Sequence, residues 1–165
     1  MRKIDYKYFS KAKQIAQVSD FPKVHIGCIA VYQNRIVGIG CNTNKTHPAQ
    51  KYYNRYRIDD ADYNSSESLL PKLHAEINCL NQLKHLDINF SKVKLYIYRT
   101  RKDIECGMAR PCASCMQAIK DLGIREENMI KISEMKSKTT PRKKNIQLKN
   151  ISLHDLNLID ILSYI

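Results

Sequence analysis

Apolar residues recur at two periods along the chain, and the alternation between them lays out its elements. Phe9, Ala12, Ile15 and Ala16 fall at helical spacing within residues 6–18, predicting an opening helix with Asp5 as its N-cap. VHIGCIAVY (24–32), the pair Gln33-Asn34 and RIVGIG (35–40) are two β-branched runs joined by a turn, the pattern of a hairpin. Residues 41–71 keep no period, hold two prolines and exceed the usual connection length, so they read as an active-site loop or a poorly ordered segment. From Leu73 the spacing of Leu73, Ile77, Leu80 and Leu83 predicts a second helix.

VKLYIY (93–98) reads as a strand, and CASCMQAIKDL (112–122) as a helix with Pro111 at its mouth and Gly123 at its C′ position. NMIKIS (128–133) and NIQLKNI (145–151) read as two further strands, and the short link between them would make that last pair an antiparallel hairpin. The tail places Leu153, Leu156, Ile159 and Leu162 on one stripe behind a Ser-x-x-Asp start, predicting an amphipathic closing helix at about 152–164. Helix, hairpin, then helix and strand in alternation predict an α/β layered fold with a sheet of about five strands. Its binding site belongs where strand ends meet helix starts.

With 165 residues, 43% of them hydrophobic, the chain is long enough for one domain with a real core, so residues 1–165 read as a single unit with its core at about 5–151. Its first residues lack an apolar signal region, and no run of about 18 apolar residues occurs, which predicts a soluble cytoplasmic protein without a membrane partner. Six cysteines could make a disulfide framework, but two of them form a tight C-x-x-C, Cys112 and Cys115, which favours metal. The formal charge of +12 fits phosphorylated or polyanionic partners and equally fits a lysine-rich composition with no such meaning.

His74 at a helix start would mean little alone. Together with Cys112 and Cys115 it gives one nitrogen and two sulfur donors, all at predicted helix N-termini, and three protein ligands plus a water is the arrangement of a catalytic zinc. Helix N-termini favour thiolates, whose charge would neutralise the ion. Glu76 lies roughly 200° around the helix from His74, but the two can share the space about the first turn. A carboxylate there is placed to move the protons of a metal-activated water.

An H-x-E followed by P-C-x-x-C is the signature of the zinc-dependent nucleobase deaminases, and the sequence resembles the cytidine deaminase superfamily. The likeness is to the deoxycytidylate deaminase type: HAEINCL is similar to its H-A-E-x-N segment with Asn78 in place, PCASCMQAIKDLGI to its zinc helix, and NRIVGIGCN to its second strand. The resemblance spans residues 5–133 and implies a three-layer α/β/α fold with a mixed sheet and one catalytic Zn2+ held by His74, Cys112 and Cys115. It further implies hydrolytic loss of ammonia from C4 of a cytosine, with Glu76 carrying protons to N3 and to the departing amine. Asn42 would contact the sugar or base, the backbones of Ala75 and Cys112 the pyrimidine edge, and a homo-oligomer would be the assembly.

Several features leave the substrate open. Arg110 beside the zinc helix either clasps a phosphate or is a solvated loop arginine. Cys106 is either a free thiol or a fourth ligand of a structural zinc. HPAQKYYNRYR (47–57) mixes Tyr52, Tyr53 and Tyr56 with Lys51, Arg55 and Arg57, which suits stacking on a single-stranded nucleic acid, holding one nucleotide phosphate, or simple packing. The leading expectation is a free small-molecule nucleotide, dCMP going to dUMP. The alternatives are a cytosine or adenine deaminase of single-stranded DNA or RNA, and a non-catalytic nucleic-acid-binding domain stapled by a structural zinc.

Overall fold

The computed structural model describes residues 3–57, 72–101 and 109–131. Helix α1 (Lys3–Gln17) leads into strands β1 (Val24–Tyr32) and β2 (Arg35–Cys41), then a short helix α2 (Pro48–Tyr53) that runs into a 3₁₀ turn (Asn54–Arg57). Helix α3 (Ala75–Leu83), strand β3 (Lys94–Arg101), helix α4 (Ala113–Asp121) and strand β4 (Met129–Lys131) follow. The sheet order is β2-β1-β3-β4, with β1 antiparallel to both neighbours and β3 parallel to β4. A parallel pair needs a crossover, and α4 supplies it.

Strand alternation builds two cores. Cys28 and Ala30 of β1 join Leu95 and Ile97 of β3 on one face, where Ile77, Leu80 and Leu83 of α3 and Cys115, Ala118 and Ile119 of α4 cover them. Ile29, Val31, Tyr96 and Tyr98 occupy the other face, covered by Tyr8, Phe9, Ala12 and Ala16 of α1. The result is the expected α/β/α layering around a mixed sheet, four strands of which lie among the described residues. Among those residues no helix is long and apolar enough to cross a membrane.

The punctuation residues act as their chemistry predicts. Gln33 and Asn34 adopt φ of 48° and 64°, the left-handed pair of a two-residue hairpin turn. Gly123, at φ 83°, ends α4: its N–H reaches Lys120 O at 2.9 Å and the Ile124 N–H reaches Ile119 O at 3.1 Å, the paired bonds of a Schellman stop.

Three expectations need correction. Asp5 is no N-cap, because α1 begins at Lys3; its buried carboxylate instead accepts a 2.8 Å hydrogen bond from the Tyr96 hydroxyl in β3. Residues 48–57 are helical, not loop: Pro48 sits at the first helical position, where no N–H is needed, and the His47 ring caps the Ala49 N–H. Leu73 precedes α3, its backbone bonded to Thr43 and Lys45. The predicted strand 145–151, the closing helix 152–164 and Cys106 lie outside the described residues.

One close approach sets where α3 begins. A Cβ on Gly40 of β2 would overlap the Ala75 carbonyl oxygen and the Cys79 amide nitrogen, both backbone atoms of α3 that no rotamer change can move. Gly40→Ala is therefore expected to destabilise the protein by about 3 kcal/mol, at the upper end for overpacking. A urea titration reads this as a lowered midpoint, and an unchanged midpoint would contradict the tight packing of α3 on β2.

Candidate metal centre and active site

Two helix starts meet on one face of the sheet. His74 is the N-cap of α3 and Cys112 the N-cap of α4, both with extended backbone (φ −82°, ψ 150° and φ −72°, ψ 171°) and neither using its side chain to cap its own helix. Those side chains turn toward each other instead. The Cys112 and Cys115 sulfurs each lie 3.4 Å from His74 Nδ1, and the three donor atoms all fall within 4.8 Å of one another. A tetrahedral ion with zinc–sulfur bonds of about 2.3 Å and zinc–nitrogen of about 2.0 Å places sulfur and nitrogen about 3.5 Å apart, so both sulfur–nitrogen separations fit zinc.

Glu76 completes the cluster from the first turn of α3. It is buried, and its Oε2 lies 3.6 Å from the Cys115 sulfur, whose thiol donates to it. Burying Ile77, Leu80 and Leu83 on the same helix contributes about 2 kcal/mol each, enough to offset the few kcal/mol that sinking one partnered carboxylate costs. The helix can therefore carry Glu76 inward.

The protons are unevenly shared among these groups. A hydrogen bond from Cys115, opposed by burial and reinforced by His74, lowers Cys112 to about 3, so it is a thiolate at neutral pH. Burial first, then the hydrogen bond and charge of Cys112 and Glu76, push the Cys115 thiol well up. Burial works against a charged His74, but the hydrogen bond and charge of Cys112 together with Glu76 outweigh it and raise the imidazole. Burial raises Glu76 as well, against the pull of His74 toward ionisation.

The other sequence candidates fall at different distances from this cluster. Ala75 is buried at the first position of α3, with its backbone beside the donors. Arg110 is exposed one residue before the buried Pro111 and two before Cys112. Arg57, one of the cations of the 47–57 stretch, is buried, and its positive charge reaches His74. Tyr52 and Arg55 form a stack of their own, with the guanidinium 3.5 Å from the Tyr52 ring centre and 5.3 Å from that of Tyr56.

Asn42 is buried and ties strand ends together. Its Oδ1 accepts from the Ile26 N–H at 2.7 Å and from the Ser19 hydroxyl at 2.8 Å, while Nδ2 donates to Val24 O at 2.7 Å. Asn78 does similar work, donating to Cys41 O at 3.0 Å and so fixing α3 to the end of β2.

Sequence reasoning missed Gln50, Asn54 and Ser114, three buried polar residues behind the donors. Gln50 Oε1 accepts from the His74 N–H at 3.0 Å, and Asn54 Oδ1 accepts from Gln50 Nε2 at 2.7 Å and from the Ser114 hydroxyl at 3.2 Å. The available signal was the four-residue spacing of Gln50 and Asn54 behind Pro48, which a one-turn helix places on one face.

An α/β/α sheet that gathers an imidazole, two cysteine sulfurs and a buried carboxylate at its helix starts defines a metal-dependent hydrolase. The sequence model of the cytidine and deoxycytidylate deaminase zinc-binding region matches residues 2–131, and the chain belongs to that family. It is accordingly a deaminase of the cytidine or deoxycytidylate type, with one zinc ion as its cofactor. No curated protein sequence matches it.

Among solved structures, the dCMP deaminase of the cyanophage S-TIM5 in complex with dCMP and dUMP is similar at 21% identity, covering 76% of this chain and 79% of that one with a TM-score of 0.48. Its apo form gives 20% identity over 75% and 80%, with a TM-score of 0.47. The cytidine deaminase from Burkholderia pseudomallei gives 17% identity over 74% and 78%, also at 0.47.

Proposed function

We propose that the protein hydrolyses the exocyclic amine of cytosine in a free deoxycytidine nucleotide, converting dCMP and water to dUMP and ammonia. The observation that carries this reading is Glu76, a buried carboxylate set against the sulfur of Cys115 and beside His74. A buried carboxylate that served only the fold would be a liability, whereas one that handles protons must be shielded and close.

In this reading His74 Nδ1 and the sulfurs of Cys112 and Cys115 hold the zinc, and Glu76 is the proton carrier. Bound zinc supplies a Lewis acid that makes water a usable nucleophile near neutral pH. The Glu76 carboxylate accepts a proton from the attacking water and delivers it to N3 of the ring. As the C4–N bond breaks, Glu76 passes the second water proton to the amine, which leaves as ammonia while C4 becomes a carbonyl. Burial raises Glu76 toward the operating range, which suits a group that must both take and give a proton. The backbones of Ala75 and Cys112, at the two positive helix starts, meet the polar edge of the pyrimidine.

The phosphate is assigned to the exposed Arg110 at the mouth of α4. Asn42 remains in the proposal as a sugar contact only through a remaining amide hydrogen, since its oxygen is engaged by Ile26 and Ser19. A second reading, deamination of a base in single-stranded nucleic acid, is favoured by one observation: Tyr52 and Tyr56 are 53% and 42% exposed and share Arg55 between them.

Substrate trials separate the two. Zinc-loaded protein offered dCMP, CMP, cytidine and a cytosine-containing oligonucleotide is expected to turn over dCMP with a kcat/KM at least about tenfold above cytidine, the worth of one charge-assisted phosphate contact. Turnover of the oligonucleotide with none of the mononucleotides would replace the first reading by the second.

A further inference from the structure

We infer that Gln50, Asn54 and Ser114 form a brace that positions the zinc donors, so that Gln50 and Asn54 on α2 and its 3₁₀ turn are positioning residues for the metal centre. The inference rests on His74, Cys112 and Cys115 being the zinc ligands, as proposed above.

The three residues make one continuous chain of hydrogen bonds between the two helix starts. Gln50, fully buried at 0% exposure, uses both ends of its amide: Oε1 accepts from the backbone N–H of His74 at 3.0 Å, and Nε2 donates to Asn54 Oδ1 at 2.7 Å. The same Asn54 oxygen accepts from the hydroxyl of Ser114 at 3.2 Å. Ser114 lies between Cys112 and Cys115 in the first turn of α4. The chain thus starts on the backbone of one ligand and ends on the residue flanked by the other two.

Its direction is fixed. The His74 N–H is one of the N–H groups that a helix start leaves without a partner inside the helix, so it needs an acceptor from outside. Gln50 must present its oxygen there, which turns its NH₂ toward Asn54. Asn54 must then present its oxygen, and the Gln50 amide and the Ser114 hydroxyl take its two lone pairs. Each member has one orientation that satisfies its neighbours.

Stability accounts for only part of this arrangement. The His74 N–H needs one buried acceptor, but a net hydrogen bond gains little over water, and the fold alone does not require that acceptor to be tied on through Asn54 to Ser114. What an apolar side chain cannot do is hold the His74 backbone at a set distance from α4. Partners of this kind behind metal ligands change metal affinity by about 10- to 100-fold when removed.

The experiment uses the full chain and two readouts besides activity: zinc affinity by competition with a chromophoric chelator, and the visible spectrum of the cobalt-substituted protein, which reports ligand geometry. Gln50→Met keeps length and volume but removes both bonds; it is expected to weaken zinc by about 10- to 100-fold and to shift the cobalt bands. Ser114→Ala removes only a hydroxyl and is expected to weaken zinc by about three- to fivefold with a smaller shift in the same direction. Wild-type affinity and an unshifted spectrum in a folded Gln50→Met protein would overturn the inference. Should that variant fail to fold, an unchanged affinity and spectrum in Ser114→Ala would do so. Cys115→Ala is measured alongside: if it keeps zinc, the ligand assignment itself fails, whereas loss of zinc there with an unaltered Gln50→Met protein sinks the brace alone.

Discussion

Glu76→Gln is expected to keep one zinc ion per chain and to lose at least about three orders of magnitude in cytosine deamination, within the range for removing a general acid–base group. The substitution is chosen for its shape. Glutamine fills the same buried space, 3.6 Å from the Cys115 sulfur, at the same side-chain length and volume, so the helix and the donor set have no reason to move. What disappears is the ability to accept a proton and release it. The loss is expected to fall on kcat, since the proposed reading holds the pyrimidine by backbone groups at the helix starts and gives the carboxylate only the protons. Steady-state release of ammonia, with zinc measured by atomic absorption on the same preparation, checks both halves. Retention of a tenth of the wild-type rate at full zinc content would show that another group moves the protons.

Cys115→Ala is expected to leave the protein essentially free of zinc, while Cys106→Ser retains a full ion. The two 3.4 Å separations set both sulfurs equally close to His74 Nδ1, so removing either sulfur leaves two donors where a zinc site requires at least three from the protein. Cys106 lies outside the described residues, and its substitution discriminates between kinds of site. A structural zinc closes its shell with four protein ligands, so dependence on Cys106 would make this a staple and not a catalytic centre. Zinc content by atomic absorption after dialysis decides it. A Cys106→Ser protein stripped of metal would overturn the three-donor reading whatever its activity.

The parts of this molecule that could be read from its sequence are those whose signals are local. Short β-branched and aromatic runs marked β1, β2 and β3, Gln33-Asn34 marked the hairpin turn, and Gly123 marked the end of α4 because a left-handed residue is needed there. His74, Glu76, Cys112 and Cys115 stood out because residues at two helix starts need only short-range spacing to reach one point. Helix α2 escaped because six residues give no full apolar period and Pro48 reads as a breaker unless its place at the first helical position is known. Asp5 was misjudged because its partner, Tyr96, is brought near only by packing α1 on the sheet. The four-residue spacing of Gln50 and Asn54 could show a shared face but not what they hold, since His74 and Ser114 lie 24 and 60 residues further along the chain. Asn42 shows the limit of resemblance, which suggested a sugar contact and could not reveal the strand-end bonds to Ser19, Val24 and Ile26.

Hydrolysis of a cytosine nucleotide's amine by one zinc and Glu76 together is the core of the proposed reaction. Its most direct test is to incubate zinc-loaded protein with dCMP and quantify dUMP and ammonia before chelation, after chelation and after zinc is restored. Equal molar amounts of the two products are expected, with loss of both on chelation and recovery with zinc. Protein carrying one zinc per chain that releases neither ammonia nor uracil product from dCMP, CMP, cytidine or a cytosine oligonucleotide would contradict it.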